Sequence, residues 1–494
     1  MSAVHLNYID GQWCPAENGE TFDSIDPATG DSVGTVVRST PSDVAAACRA
    51  AARAFDRWRL MPAPRRAEIL FRAGEILIRR KEEFARLMTR EMGKVLQESR
   101  GDVQEAIDMA FYMAGEGRRS FGQTTPSELP DKFAMSVRAP LGVVAAITPW
   151  NFPLAIPAWK IFPALVLGNT VVYKPSSETA VTSSMIVHVL EEAGLPPGVL
   201  NLVHGPGASV GTALARQDEV VLVSFTGSTE VGRQLTIDLA PQMKRLSLEM
   251  GGKNAIIVLD DADLDLAVDG IVWSAFGTSG QRCTAASRVI VQRRVHDALV
   301  QKLVNRTRQL RLGNGLDPDV DVGPVINRAQ LEKIDRYVRI GVQEGARILT
   351  GGRIATGGGL ERGFFYEPTI FDGATPAMRI AQEEIFGPVT AVITVDSLEE
   401  AIAVNNTVAY GLSSAIYTRD VNRAFTAMRE LTTGLVYVNA GTIGAEIHLP
   451  FGGTRATGNG HREAGTAALD VFSEWKTIFV DYSGRLQRAQ IDLG

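Results

Sequence analysis

Hydrophobic positions follow two different periods along this chain, and the change from one to the other marks its organisation. Pro41-Ser42-Asp43 is a helix start, after which Val44, Cys48, Ala51, Phe55 and Trp58 recur at helical spacing. That pattern puts Cys48 on a packing face. A second helix is predicted from about 65 to 92, with Ile69, Ala73, Ile76, Leu77, Phe84 and Leu87 on its apolar side and Gly93 as its stop. The stretch 115–140 is looser and contains the polar run QTTPSELPD, which suits a hairpin arm or a linker.

From Gly142 onward, short apolar runs alternate with helical segments. TVVYK, VLNLV, VVLVSF and RLSLEM read as buried strands, separated by helices near 179–193, 208–216 and 229–239. The rhythm resumes after Gly251 with the strands NAIIVLD, SRVIVQ, TAVITV, SSAIYT and GLVYVN and the helices 263–276, SLEEAIAVNN and VNRAFTAMREL. Such alternation predicts an α/β protein with parallel sheets covered on both faces, and a second α/β domain beginning near 251. The tail DVFSEWKTIFVDYSG alternates like an edge strand available to a neighbouring subunit, and GGRIATGGGLERG reads as a mobile surface turn. The uncharged segment 141–159 is interrupted by Pro149, Pro153 and Pro157 and carries Asn151, which argues against a bilayer span. It reads as buried loop and strand.

Composition narrows the classes of function. A chain of 494 residues, 45% hydrophobic and 21% charged, fits a soluble protein of two or three domains. Its formal net charge of -6 argues against nucleic acid or an anionic membrane as partner. The three cysteines, Cys14, Cys48 and Cys283, form no CxxC pair, so neither a disulfide framework nor a zinc site is expected and a cytoplasmic location fits. MSAVHLNYIDGQW lacks the pattern of a signal peptide, and the six histidines lack metal-ligand spacing.

Four stretches carry candidate chemistry. In SGQRCTAAS, Cys283 is flanked by small residues and by Arg282; the stretch alone suits either a nucleophile or a buried small side chain. VVLVSFTGSTEVG runs strand, glycine turn, helix, which suits either a pyrophosphate site or a plain turn. In LEMGGKN, Glu249 ends an apolar strand, where desolvation raises a carboxyl toward the range of a general base, though this stretch alone favours a salt-bridged strand end. Asn151 in TPWNFP could cap a turn or donate to an oxyanion. GASVG formally matches a hydrolase elbow, but it follows His204-Gly205-Pro206 without partners for Ser209 and reads as a helix start.

Taken in order, TPWNFP, YKPSSET, FTGSTEVG, LEMGGKN, GQRC, EEIFGPV and PFGG resemble the aldehyde dehydrogenase superfamily over essentially the whole chain. The resemblance implies a Rossmann-type cofactor domain (1–118 and 141–250), an α/β catalytic domain (251–451) and a small β oligomerisation arm (119–140 and 472–494) in a homodimer or homotetramer. It also implies that Cys283 attacks an aldehyde, that Asn151 and the Cys283 N–H hold the oxyanion, and that Glu249 activates the water that releases the acid from a thioester. Glu463, in NGHREAG, matches a family glutamate proposed to relay protons.

The implied cofactor is NAD or NADP. Lys174 would contact the adenine ribose, Gly227 and Ser228 would open the pyrophosphate site, Thr148, Trp150 and Gly232 would line it, and Glu384 with Phe386 would position the nicotinamide ribose. Three residues after this lysine many NAD-preferring members carry glutamate; here Ser177 stands there, with Glu178 next, so use of both cofactors is expected. The carboxylate-binding arginines of succinate-semialdehyde enzymes are replaced by Trp159 and Gly277, whereas GQRCTA resembles the α-ketoglutaric and aminoadipic semialdehyde branches. A medium-chain aldehyde or a semialdehyde is therefore expected, with 445–448 edging the substrate mouth. Acyl transfer to coenzyme A is the alternative reaction, disfavoured by Glu249; a catalytically silent relative is disfavoured by Cys283, Asn151 and Glu249 together.

Overall fold

The computed structural model describes residues 4–491; residues 1–3, and residues 492–494 of the expected arm, lie outside the described residues. Two seven-stranded sheets organise the chain. In the first, Arg245–Glu249, Val220–Thr226, Val143–Ile147, Thr170–Lys174 and Leu200–Leu202 lie side by side and run parallel, and Asn7–Ile9 and Gln12–Cys14 add an antiparallel edge. The second is ordered Arg347–Thr350, Thr369–Asp372, Val389–Val395, Ala286–Gln292, Asn254–Val258, Ser413–Tyr417 and Leu435–Val438, with only its first pair antiparallel. Strands such as VVAAI and NAIIV are buried at every residue, because helices cover both faces of a parallel sheet.

The order of the first sheet locates a crevice. The chain passes from Val143–Ile147 to Thr170–Lys174 and Leu200–Leu202 on one side, then returns to place Val220–Thr226 on the other side. That reversal opens a gap at the carboxyl ends of Val143–Ile147 and Val220–Thr226, where open α/β sheets bind ligands.

A three-stranded antiparallel sheet joins Gln123–Pro126, Lys132–Pro140 and Ser473–Asp481. The tail strand thus pairs with its own chain. Arg138 fastens it, with its guanidinium over the rings of Phe121 and Trp475 and a 2.7 Å ion pair to Asp470. Among the described residues no helix is long and apolar enough to cross a membrane.

Three sequence readings need correction. The helix expected over 65–92 is two helices, Ala63–Arg79 and Lys81–Met92. Arg80 leaves helical geometry, bonding forward to Glu83 at 2.7 Å and covering the Phe84 ring, while the apolar period continues unbroken across the joint. Segment 141–159 is not only strand and loop, because the helix Ala155–Leu167 begins inside it. Pro157 falls in the first turn of that helix, where its missing N–H would have had no intrahelical partner. Finally, the unassigned residues before the expected arm form the long helix Leu96–Glu116, in which buried charges obscure the apolar stripe.

Candidate active site

A cleft of about 200 Å³ opens at the crevice. Its wall brings together seven of the expected site residues, Trp150, Asn151, Gly227, Ser228, Cys283, Glu384 and Phe386, from both sheets. Gln330 and Lys333 also line it, from the helix Arg328–Gln343, which the sequence reading passed over. Its signals were present: Asn327 caps it, and Leu331, Ile334 and Val338 are buried at helical spacing.

Cys283 follows a turn in which Thr278, Ser279 and Gly280 have φ of 52°, 55° and 68°, three consecutive left-handed residues. Gly280 is required there, since a Cβ would stand 2.1 Å from the Gly387 carbonyl oxygen. The loop is fixed further by Asn254, whose amide donates to the carbonyls of Cys283 and Ala285 at 2.7 and 2.9 Å. The side chain of Cys283 remains partly exposed. Its thiol is pushed up to about 12 by burial first, and then by the charges of Glu384 and Glu249. Arg282 does not offset this. Its guanidinium turns away to Thr278 Oγ1 at 2.9 Å and Glu98 at 3.2 Å, between the rings of Phe152 and Trp273. The cation beside Cys283 in sequence is therefore committed to packing and pairing.

Glu249 ends its strand 3% exposed, and neither of its carboxyl oxygens has a hydrogen-bond partner. Burial raises its pKa well above the ordinary carboxylate value, and the neighbouring charge of Glu463 adds to the rise. Glu463 is itself buried and paired with Lys160 Nζ. Gly452 gives Glu249 room, since a Cβ there would come within 2.5 Å of Glu249 Oε1. The strand-end glutamate is thus not salt-bridged. It is a buried carboxyl without a hydrogen-bond partner in the protein.

Asn151 is 3% exposed, and its amide Nδ2 donates to the carbonyl of Gln281 at 3.1 Å, linking its loop to that of Cys283. Trp150 meets Phe386 edge to face, with centroids 5.4 Å apart. Glu384 accepts from the Gly252 N–H at 2.8 Å, and burial raises its pKa. Ser228 caps the helix Thr229–Leu239 and, with Gly227, presents its N-terminal end to the cleft.

Six expected site residues lie outside the cleft wall, Glu249 among them. Thr148 is buried beneath it, 3.3 Å from the Tyr173 hydroxyl. Gly232 packs where a Cβ would meet Met250 Sδ at 2.3 Å. Lys174 is buried, its pKa lowered to about 8 by desolvation, and its ammonium donates to the Pro175 carbonyl. Ser177 Oγ is buried without a partner, and Glu178 accepts from Asn327 at 3.1 Å. Glu463 lies behind Glu249, as described above. The Lys174 ammonium without a carboxylate partner, the Ser177 hydroxyl without a partner and the N-terminal end of the helix Thr229–Leu239 are each donors of the kind a dinucleotide takes. Ser209, in GASVG, sits on an exposed turn, consistent with a helix start.

Comparison with known proteins shows the family. The model of the "Aldehyde dehydrogenase family" matches residues 13–478. Alpha-ketoglutaric semialdehyde dehydrogenase from Bacillus subtilis (strain 168) is 45% identical over 97% of this chain and 98% of its own. Glutarate-semialdehyde dehydrogenase from Pseudomonas putida is 39% identical over 96% of this chain and 97% of its own. A crystal structure of betaine aldehyde dehydrogenase from Staphylococcus aureus in complex with NAD+ superimposes with a TM-score of 0.95 at 36% identity, covering 98% of this chain and 96% of that one. With a family model spanning nearly its whole length and a cleft built from the motifs that suggested it, this chain belongs to the aldehyde dehydrogenase family.

Proposed function

We propose that this family member oxidises a semialdehyde to the corresponding dicarboxylic acid, with Cys283 as the covalent nucleophile and Glu249 as the base that hydrolyses the intermediate. The carrying observation is Glu249 itself, an unpaired buried carboxyl on the strand beside the cleft that holds Cys283. The semialdehyde class is supported by the relatives that act on such substrates and by the GQRCTA context of Cys283.

The steps follow from the side chains. The Cys283 thiol gives up its proton to water as its sulfur adds to the aldehyde carbon. The Asn151 amide, with one N–H engaged by Gln281 and the second unassigned, and the Cys283 backbone N–H hold the resulting oxyanion. When bound, NAD(P)+ would supply the acceptor for the hydride that the thiohemiacetal carbon loses in becoming a thioester, and a positive charge in the cleft. Glu249 takes a proton from water, the hydroxide oxygen bonds to the acyl carbon, and the carbon–sulfur bond breaks to free the acid and the thiol. Glu463, paired with Lys160, provides the next group to which the proton on Glu249 can pass.

Lys174, Ser177, Gly227 and Ser228 would hold the cofactor at its adenosine and pyrophosphate end, over Thr148 and Gly232. Trp150, Glu384 and Phe386 would hold the nicotinamide end. Ser177 puts a neutral hydroxyl where a carboxylate would repel a 2′-phosphate, which supports use of both NAD and NADP. The first sheet then serves as the cofactor domain, the second as the catalytic domain, and the three-stranded sheet as the arm of a homodimer or homotetramer. An aldehyde panel assayed with NAD and with NADP, in the native enzyme and in Cys283→Ala, tests substrate class and nucleophile together. Full oxidation of a semialdehyde by Cys283→Ala contradicts the proposal.

A further inference from the structure

Lys94, just before the helix Leu96–Glu116, and Glu98 and Asp102 within it stand at four-residue spacing, and all three are buried. Each reaches a loop that carries part of the proposed site. Lys94 Nζ donates to Asp102 Oδ2 at 2.9 Å and to the main-chain carbonyl of Asn151 at 2.7 Å. Asp102 Oδ1 accepts the N–H of Ala155 at 2.7 Å, which pins the far end of the same loop. On the opposite side, Glu98 Oε1 accepts from the Thr278 N–H at 2.8 Å and from Arg282 at 3.2 Å, holding the turn that leads into Cys283. The Phe152 ring, next to Asn151, carries Lys94 Nζ at 4.0 Å and the Arg282 guanidinium at 5.3 Å.

Burying so many charges stabilises a fold no better than apolar packing would, so their placement calls for another reason. Both loops are irregular, and Asn151 depends on them for its direction: its carbonyl is held by Lys94 and its amide by Gln281. We propose that Lys94, paired with Asp102, is a positioning residue that sets the Asn151 amide against the Cys283 sulfur. Glu98 and Arg282 fix the cysteine loop from the other side. This inference rests on the reading of Asn151 as an oxyanion donor.

The test compares Lys94→Met, Asn151→Ala and the double variant in the full-length enzyme. The rapid-mixing burst of NADH is measured alongside alkylation of Cys283 by iodoacetamide, a reaction that forms no oxyanion. Loss of one oxyanion donor lowers rates by about 10²–10³-fold, so Lys94→Met is expected to slow the burst by roughly tenfold to a hundredfold. Its alkylation rate stays close to that of the native enzyme, and the double variant is no slower than Asn151→Ala, because both changes remove one contribution. Lys94→Arg, which keeps the charge and donors, recovers most of the burst, and Asp102→Asn reproduces the Lys94→Met pattern should Lys94→Met not fold. An unchanged burst in Lys94→Met or Asp102→Asn, or losses that multiply in the double variant, overturns the proposal. If Asn151→Ala itself keeps a full burst, the oxyanion reading falls and this inference with it; if only Lys94→Met keeps it, the oxyanion reading stands alone.

Discussion

Glu249 and Glu463 lie close enough in a buried space for their charges to interact, yet only Glu463 has a salt-bridge partner, Lys160. The asymmetry separates their proposed work. An unpaired carboxyl whose pKa is raised by burial can take a proton from water near neutral pH, and the paired one beside it is where that proton passes next.

Glu249→Gln is therefore expected to leave the NADH burst near its native amplitude while steady-state turnover falls by about 10²–10⁴-fold, the range of a general base. The same change bears on stability. Because the folded pKa of Glu249 lies above its ordinary value of 4.5, the native state binds more protons than the unfolded chain between those two values, and stability falls as pH rises through that window. Glu249→Gln removes this loss. Its Tm is expected to exceed the native value at neutral pH and to approach it below about pH 4.5, read by thermal denaturation across pH.

The thiol of Cys283, pushed up to about 12, is neutral at physiological pH before cofactor binds. Alkylation of the cofactor-free enzyme by iodoacetamide is expected to be slow at pH 7 and to keep rising beyond pH 9 without a plateau. Added NAD+ accelerates it. A plateau near pH 7 without cofactor would mean that a neighbouring cation activates the sulfur, a role the geometry of Arg282 does not provide.

Cofactor choice turns on Ser177. The native enzyme is expected to use NAD and NADP with kcat/KM values within about a thousandfold, or ~4 kcal/mol. Ser177→Glu is expected to shift the ratio toward NAD by at least about tenfold, which corresponds to ~1.4 kcal/mol. A native preference for NAD beyond the thousandfold limit contradicts the dual reading.

Much of this was legible in the sequence, for identifiable reasons. Strands such as NAIIV are apolar at every position because both faces are covered, so their runs stand out. Cys283, Asn151 and Glu249 sit in glycine- or proline-containing motifs in loops and at a strand end, and the order of these motifs forms a recognisable series. The role of Arg282 was not legible, since adjacency in sequence says nothing of direction, and the structure turns its guanidinium to Glu98. Lys94, Glu98 and Asp102 escaped for the opposite reason: their charges made a buried helix look like a solvated one.

The three-stranded sheet leaves Phe133 and Val480 exposed on one face and Phe479 on the other, with Tyr482 exposed just beyond the strand, apolar side chains of the kind that mark an interface. Phe479→Glu is expected to shift the enzyme toward smaller species in sedimentation while its circular dichroism stays native. A native protein that sediments as the monomer at micromolar concentration contradicts the proposed dimer or tetramer.

The covalent role of Cys283 is tested most directly by quenching the reaction of a semialdehyde and NAD+ in Glu249→Gln and weighing the intact protein. The account predicts one added acyl group on Cys283, formed with the NADH burst and absent when Cys283→Ala is combined with Glu249→Gln; a stoichiometric burst with no added mass at Cys283 would contradict it.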